Sequence, residues 1–481
     1  MSGILVVDVG TSSVRASIVR PDATVEHVHQ EACLPTTPDQ GLVELDAARI
    51  RDLALELARR ALADAGTVDA VGIANQRAST IVWDRATGEP VGPGIGWQDL
   101  RTVGTCLVLQ ADGIRLAPNA SATKLAHLLD TFDPDRSRDL VFGTVDTWVA
   151  WHLSGGALHV TDQTNAGVTG LLTLDGGTWH DDVLAKLHIS PDVLPRIVDS
   201  TGVVGAASAL PGAPPIAGIA GDQQASLVGQ GCVRAGMAKI TFGTGGMLDV
   251  CVGPQRPSFD ARGSGGCLPI AAWRAGGEIT WGVEAIMLSA GTAVEWLRDD
   301  LGVISSAAES HDVAARCDDT GGVVFVPALL GLGTPDWDYG ARGALLGVTR
   351  GTGRPELVRA VLEGVAQRGA DLVDAAITDG GVDIPSLRVD GGMSANPTFV
   401  QALADAAQRP VEVSPVVEAT TLGAAFLAGM AVGMWSGFDD VAAAWSPKEV
   451  VEPAGAAQRE RWVEARRRAA GWHGDLSALD F

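Results

Sequence analysis

The chain has 481 residues, 46% of them hydrophobic and 19% charged, and a formal net charge of -23. That length and balance call for two globular domains and exclude a disordered polymer. So acidic a surface repels nucleic acid and anionic lipid, so a phosphate-bearing ligand has to be caught by backbone amides, a few arginines and a bound cation.

The N-terminus lacks a basic region followed by an apolar stretch and a cleavage site, and no apolar run approaches the ~20 residues that span a bilayer. A cytoplasmic protein is expected. Cysteines 33, 106, 232, 251, 267 and 317 are scattered without metal-ligand spacing, as expected of reduced, buried thiols.

Ile4 to Asp8 is a short apolar run ending in a carboxylate ahead of Gly10, the way a buried strand delivers an acid to a turn. Val14 to Val19 resumes as a strand, so a hairpin is predicted around the turn. Asp46 then caps a helix carrying Ile50, Leu53, Leu57, Ala61 and Leu62 on one face, and Gly66 stops it. Val71 to Ala74 is a further strand. The order is mixed α/β, and the hairpin start argues against a doubly wound nucleotide fold, whose first strand feeds directly into a helix.

The pattern recurs at Lys239 to Phe242, where a strand meets the turn Gly243-Thr244-Gly245-Gly246 and returns over Met247 to Val252. Helices are expected at about Glu284–Leu297 and Pro355–Ile377, the latter with proline at its start. Leu387 to Asp390 reads as a strand, with helices starting near Asn396 and Ala419. Two such hairpins suggest two related domains, divided near the glycine-rich stretch Gly229 to Gly236.

Four segments carry chemistry. Asp8-Val9-Gly10-Thr11-Ser12-Ser13-Val14-Arg15 gathers backbone amides in a tight turn that suits phosphate oxygens, with Asp8 able to hold Mg²⁺ through water and Arg15 to neutralise charge. Alone it reads equally as a plain hairpin turn; paired with Gly243-Thr244-Gly245 in the second half, it suggests a phosphate clamp. No Gly-x-x-x-x-Gly-Lys-Ser/Thr stretch exists, which excludes a P-loop enzyme. Asn75-Gln76-Arg77 after a strand, and later Trp97-Gln98-Asp99, read either as a surface loop or as polar groups and an apolar wall for a polyhydroxylated ligand. Ile216 to Gly221 runs as an apolar strand into Asp222-Gln223. That carboxylate is either a helix cap or the base that phosphoryl transfer to an alcohol requires. Asp390-Gly391-Gly392 through Asn396 is either a plain strand–helix turn or a place where a base and ribose approach the backbone.

In order, these pieces resemble the FGGY family of carbohydrate kinases, and within it the glycerol kinases. The resemblance runs from Ile4 to about Trp435 and is carried by DVGTSSVR, GIANQRASTIVW, GWQDLRT, FGTVDTWVAWHLSGG, HVTDQTNA, GIAGDQQAS, GMAKITFGTG, VPALLGLGTPDWD, ARGALLGVTRG and LRVDGGMSANPTF. It implies an α/β fold of two actin-like (ribonuclease-H-like) ATPase domains facing an interdomain cleft, residues 1–229 and 230–481. It implies that Thr11, Ser12, Ser13, Arg15 and Thr244 meet the phosphates of ATP, with Asp8 near Mg²⁺. Gly291, Glu295, Gly392 and Asn396 would surround the adenosine, with Glu295 standing where the family has a glutamine. Arg77, Trp97, Asp222 and Gln223 would bind the acceptor, and Asp222 would be the general base.

The sequence departs from the glycerol kinases at three acceptor-site positions. Ala78 stands for a glutamate that accepts glycerol hydroxyls, Asn119 for an aromatic, and Met247 for a phenylalanine. Losing that acid costs about 1.5–3 kcal/mol per charged hydrogen bond, and smaller side chains enlarge the pocket. The acceptor expected is therefore a small polyol or sugar longer than glycerol. A true glycerol kinase, a xylulose or ribulose kinase and a catalytically silent sugar sensor are the alternatives. A chaperone-like or filament-forming actin-fold ATPase would need neither Arg77 nor the Asp222-Gln223 pair. Ala209 to Ala213 replaces the basic glycine-rich loop that binds fructose 1,6-bisphosphate in some bacterial members, so no response to that sugar is expected. The expected partner is the small-molecule acceptor, with neither nucleic acid nor membrane and with a homodimer left open.

Overall fold

The computed structural model describes residues 3–416 and 418–479. Strands β1 (Ile4–Val9) and β2 (Ser13–Val19) form the predicted hairpin with Asp8 opposite Arg15, and β3 (Val25–Ala32) adds antiparallel to β2. The helix Ala47–Ala65 follows; Asp46 Oδ1 accepts from the Arg49 amide at 2.9 Å, and Gly66 ends it. Its Leu53, Leu57 and Ala61 bury against Leu5, Val7, Val14 and Ile18 of the hairpin, which is why a face with helical spacing and a face with strand spacing occur in succession. Strand β4 (Ala70–Asn75) runs parallel to β1. Strands β5 (Thr201–Ala206) and β6 (Pro215–Gly221) form an antiparallel pair, and β6 lies parallel to β4.

The second half repeats this plan. Strands β7 (Ala238–Phe242) and β8 (Gly246–Gly253) make the second hairpin. Strands β9 (Leu268–Ala275) and β10 (Glu278–Met287) are antiparallel, with β10 on β8; β11 (Leu387–Asp390) and β12 (Val411–Val413) lie parallel beside β7, and β13 (Glu449–Val451) closes the edge. The thirteen strands make one sheet in the order β13-β12-β11-β7-β8-β10-β9-β5-β6-β4-β1-β2-β3. The runs β3-β2-β1-β4-β6 and β10-β8-β7-β11-β12 are therefore the same arrangement: hairpin, antiparallel neighbour, two parallel strands. The second core sets Ile240, Phe242, Leu248 and Val250 against Val361, Val365 and Leu372 of the helix Arg354–Gly380.

Each repeat sends its last parallel strand towards a helix, Asp222–Gly229 in the first and Ala419–Ala431 in the second. These two equivalent helices pack on each other where Gly229 and Gly423 leave no room for a side chain: a Cβ would meet the Ala419 carbonyl oxygen at 1.9 Å and that of Ala225 at 1.7 Å. The crossing sets the spacing between the halves.

One expected element is corrected. Glu284 to Leu297 is not a helix: residues up to Met287 belong to β10, and only Gly291–Glu295 turns α-helical, continuing into the π-turn Trp296–Asp300. Ile279, Trp281, Val283 and Ile286 are strand formers, and pairing with β8 and β9 on both sides outweighs the helical spacing of the apolar residues after them. The six cysteines are free thiols. Among the described residues no helix is long and apolar enough to cross a membrane.

Candidate active site

Three parallel strands of the first half end in register, Val9 beside Asn75 and Asn75 beside Gly221. Gly10-Thr11, Gln76-Arg77 and Asp222 therefore leave the sheet along one edge, at the carboxyl ends where α/β sheets open ligand crevices. In the second half Thr241 lies beside Asp390, so Gly243 and Gly391 emerge along the corresponding edge.

Asp222 is the first residue of its helix, directly after the N-cap Gly221. Its Oδ1 accepts from the Gln223 amide at 2.8 Å and lies 3.6 Å from Arg77 Nε, with 31% of the side chain exposed. Burial raises its pKa, and the Arg77 guanidinium works against that rise. Burial also pushes Asp8 up to about 7, with Arg15 holding it down and the Asp222 charge adding to the rise. Two carboxylates whose charges oppose each other gain from a nearby cation, so the oxygen donors suit Mg²⁺, which takes oxygen ligands and keeps its waters. Among the described residues no cluster of three or more His, Cys, Asp or Glu has metal-binding geometry.

In the first loop the Gly10 amide donates to the Ser13 carbonyl at 3.0 Å, closing the turn. Trp97 Nε1 donates to Thr11 Oγ1 at 3.2 Å, so the indole stands beside the loop. Ser12 is exposed, and Ser13 Oγ accepts from Gln30 Nε2 at 3.0 Å. Arg15 pairs with Glu418 from the second half and donates to Gln30 Oε1 at 2.9 Å. It is not waiting free for phosphate. An anion has to compete with Glu418 for it.

The acceptor candidates divide. Asn75 and Gln76 are buried and spent internally: Asn75 exchanges amide hydrogen bonds with Asn165 at 2.8 and 3.0 Å, and Gln76 donates to the Gly10 carbonyl at 3.1 Å. They hold the strand end and the Gly10 turn together, while the side chain of Arg77 turns to Glu284 and Asp222. Ala78 has left-handed backbone, φ +61°, and is 7% exposed, a strained conformation of the kind that collects at functional turns. Its carbonyl accepts from Ser121 Oγ at 2.9 Å. The buried Lys124 ammonium donates to the carbonyls of Gly96, Trp97 and Asn119 at 2.8, 3.1 and 3.1 Å, tying the tryptophan backbone to that of the exposed Asn119. Gln223 Oε1 accepts from Lys239 Nζ at 2.7 Å, which fixes the amide so that its NH₂ points away from the lysine. Met247 is half-buried on β8, two residues before Asp249 and on the same face.

In the second loop Thr244 is exposed, and its carbonyl accepts from the Ala290 amide at 2.9 Å. The Gly291 amide donates to the Gly243 carbonyl at 2.9 Å, so the short helix Gly291–Glu295 starts against this loop and carries the exposed Glu295. Gly391 supplies the strict glycine position of the strand end, with φ +85° and a Cβ site 2.4 Å from the Phe242 carbonyl oxygen; its neighbour Gly392 is exposed beside open space. Asn396 is committed as a cap: its Oδ1 accepts from the Phe399 amide at 3.1 Å and its Nδ2 donates to Ser310 Oγ at 2.9 Å.

Three residues that sequence reasoning did not select stand under the acceptor group. Lys239 Nζ and Asp249 Oδ2 pair at 2.8 Å with both side chains fully buried, and Glu284 Oε2 binds Arg77 Nη2 at 2.7 Å. Their signal was present in the sequence as charged residues inside apolar strands, Lys239 in AKITF and Asp249 in GMLDVCVG. Glu284 was hidden by the expected helix.

Comparison with known proteins identifies the family. Residues 3–229 match the N-terminal domain model of the FGGY family of carbohydrate kinases, and residues 238–432 match the C-terminal one. The chain belongs to the FGGY family of carbohydrate kinases. It is 44% identical to a glycerol kinase of Aromatoleum aromaticum, over 98% of this chain and 99% of the relative. It is 41% identical to one of Deinococcus radiodurans, over 99% of each. The crystal structure of Plasmodium falciparum glycerol kinase with ADP superposes with a TM-score of 0.90 at 27% identity, covering 100% of this chain and 99% of that one. A xylulose kinase of Lactobacillus acidophilus, at 21% identity, a TM-score of 0.85 and coverage of 100% and 98%, shares the fold. This FGGY kinase is thus a phosphotransferase built of two actin-like domains, and among kinases it is most like the glycerol kinases.

Proposed function

We propose that this FGGY kinase transfers the γ-phosphoryl group of ATP to a hydroxyl of a small polyol or sugar, with a glycerol-kinase-like site whose acceptor pocket is retuned at Ala78, Asn119 and Met247. In this reading residues 1–229 carry the acceptor site and first phosphate loop, and residues 230–481 the second phosphate loop and adenosine site. Thr11, Ser12, Ser13 and Thr244 hold the phosphates; Gly291, Glu295, Gly392 and Asn396 surround the adenosine. The observation that carries the reading is Asp222, which leaves its strand in register with the phosphate turn and Arg77, and whose raised pKa suits a general base.

Asp222 takes the proton from the acceptor hydroxyl as that oxygen attacks phosphorus. Arg77, Gln223 and Trp97 orient the acceptor, and Arg15, once released from Glu418, answers the phosphate charge. Asp8 would hold Mg²⁺ through water, and the ion would supply neutralisation of phosphate charge when bound. Packing of the two halves around the acceptor excludes water, which would otherwise take the phosphoryl group.

A panel of glycerol, erythritol, xylitol, ribitol, xylulose and ribulose with ATP tests the retuned pocket. The reading expects a longer polyol or a ketose to exceed glycerol in kcat/KM. Glycerol leading by a wide margin restores a plain glycerol kinase.

A further inference from the structure

The charges beneath the acceptor group form an unequal set: the carboxylates of Asp222, Asp249 and Glu284, and the cations of Arg77 and Lys239. Lys239 is taken by Asp249 at 2.8 Å in a fully buried pair. Arg77 is shared, but not evenly. Its Nη2 binds Glu284 Oε2 at 2.7 Å, its Nη1 reaches Gln224 Oε1 at 3.4 Å, and its Nε stays 3.6 Å from Asp222. Glu284 is 4% exposed and Arg77 11% exposed, so this contact is made largely out of water, where a charged hydrogen bond is strong and its loss costly. The two residues come from opposite halves of the chain, Arg77 following β4 and Glu284 within β10. Asp249 is the cross-strand partner of Glu284.

We propose that Glu284 is a positioning residue for the acceptor: it anchors Arg77 to the second half and keeps the guanidinium from closing onto Asp222. The inference rests on the reading above, in which Arg77 and Asp222 serve the acceptor. Without the Glu284 charge, the nearest anion left to Arg77 is Asp222. A full Arg77–Asp222 ion pair would withdraw the guanidinium from the acceptor and occupy the carboxylate that receives the proton. Asp249 cannot substitute, because Lys239 already holds it. Anchoring across the halves also makes the position of Arg77 depend on their packing, so the acceptor site is complete only when the second half is in place.

The test is a double-mutant cycle in the full-length enzyme, with glycerol and xylitol as probes at saturating ATP and Tm recorded for every variant. Arg77→Met is expected to raise acceptor KM. Glu284→Gln is expected to raise acceptor KM about tenfold or more with ATP KM unchanged, as loss of a charged hydrogen bond implies. Glu284→Asp should recover most of that loss. In the Arg77→Met background, Glu284→Gln should change acceptor KM less than about twofold, because a residue acting through Arg77 has nothing left to position. Equal effects in both backgrounds, or parallel changes in acceptor KM and ATP KM, overturn the inference. Should Glu284→Gln lower Tm below the assay temperature, Glu284→Asp in the two backgrounds gives the same comparison, a smaller rise that Arg77→Met abolishes. An Arg77→Met enzyme with unaltered acceptor KM overturns the acceptor reading itself, and is distinguishable because it needs no Glu284 variant.

Discussion

Ala78→Glu restores the carboxylate that the glycerol kinases carry after the Asn-Gln-Arg motif, and the structure allows its effect to be worked out. The backbone at 78 is already left-handed at φ +61°, so a second non-glycine residue adds no new strain there. The Ala78 carbonyl stays fixed by Ser121 Oγ at 2.9 Å and Thr80 Oγ1 at 3.2 Å, which leaves the side chain as the only change. Desolvating a carboxylate at a position 7% exposed is unfavourable, but the neighbouring Arg77 offsets it. One charged hydrogen bond to a glycerol hydroxyl contributes about 1.5–3 kcal/mol, so glycerol KM should fall about ten- to a hundredfold. The longer side chain also shortens the pocket, so five-carbon acceptors should lose ground. Coupled-assay kcat/KM for glycerol and xylitol, wild type against variant, measures the switch. An unchanged glycerol-to-xylitol ratio refutes the argument that position 78 sets acceptor choice.

Asp371 forms ion pairs with Arg459 and Arg466 at 2.7 Å each and accepts from Arg368 and Trp462 Nε1 at 3.0 Å each, with its side chain 3% exposed, and so docks the C-terminal helix Arg459–Ala469 on the helix Arg354–Gly380. Asp371→Ala takes the adjacent carboxylate from the buried Arg368, which keeps only the Thr334 carbonyl, while Arg459 retains Gln367 and Asp374 and Arg466 retains Asp336. It should cost about 3–5 kcal/mol in urea unfolding, while acceptor and ATP KM of the folded enzyme stay unchanged. His152 packs edge-on against Trp148 with ring centroids 4.1 Å apart, and burial lowers its pKa from 6.5 to about 4, Arg51 adding to the fall. The unfolded chain therefore binds the extra proton first as pH drops. Stability associated with His152 is present above pH 6.5 and is lost progressively down to pH 4, by at most about 3 kcal/mol. Wild type minus His152→Leu in unfolding free energy across that window measures it, and a flat difference contradicts the assignment.

Much of this organisation is written locally. The Asp8–Arg15 hairpin, the Asp46-capped helix and the second hairpin at Gly243 each combine a short-range pattern with a turn or cap residue, so the sequence is enough to place them. The interval from Glu284 to Leu297 is different. Its apolar spacing suits a helix, and only pairing with two neighbouring strands makes the first part β. The same limit applies to the site. Asp222 and Arg77 are legible as polar residues after apolar strands. By contrast, the partnership of Arg77 with Glu284, 207 positions away, exists only once the halves pack. Asn75 and Gln76 illustrate the converse. Their place after an apolar strand suits ligand groups, yet folding commits their side chains to internal bonds.

The central claim is that Asp222 is the proton acceptor in phosphoryl transfer, and single-turnover kinetics of Asp222→Asn test it most directly. Asn Oδ1 can still accept the Gln223 amide bond, so fold and helix start should survive. The rate of the phosphoryl-transfer step should fall about 10²- to 10⁴-fold, with ATP binding by equilibrium titration essentially unchanged. A variant that transfers phosphate at the wild-type rate contradicts the account.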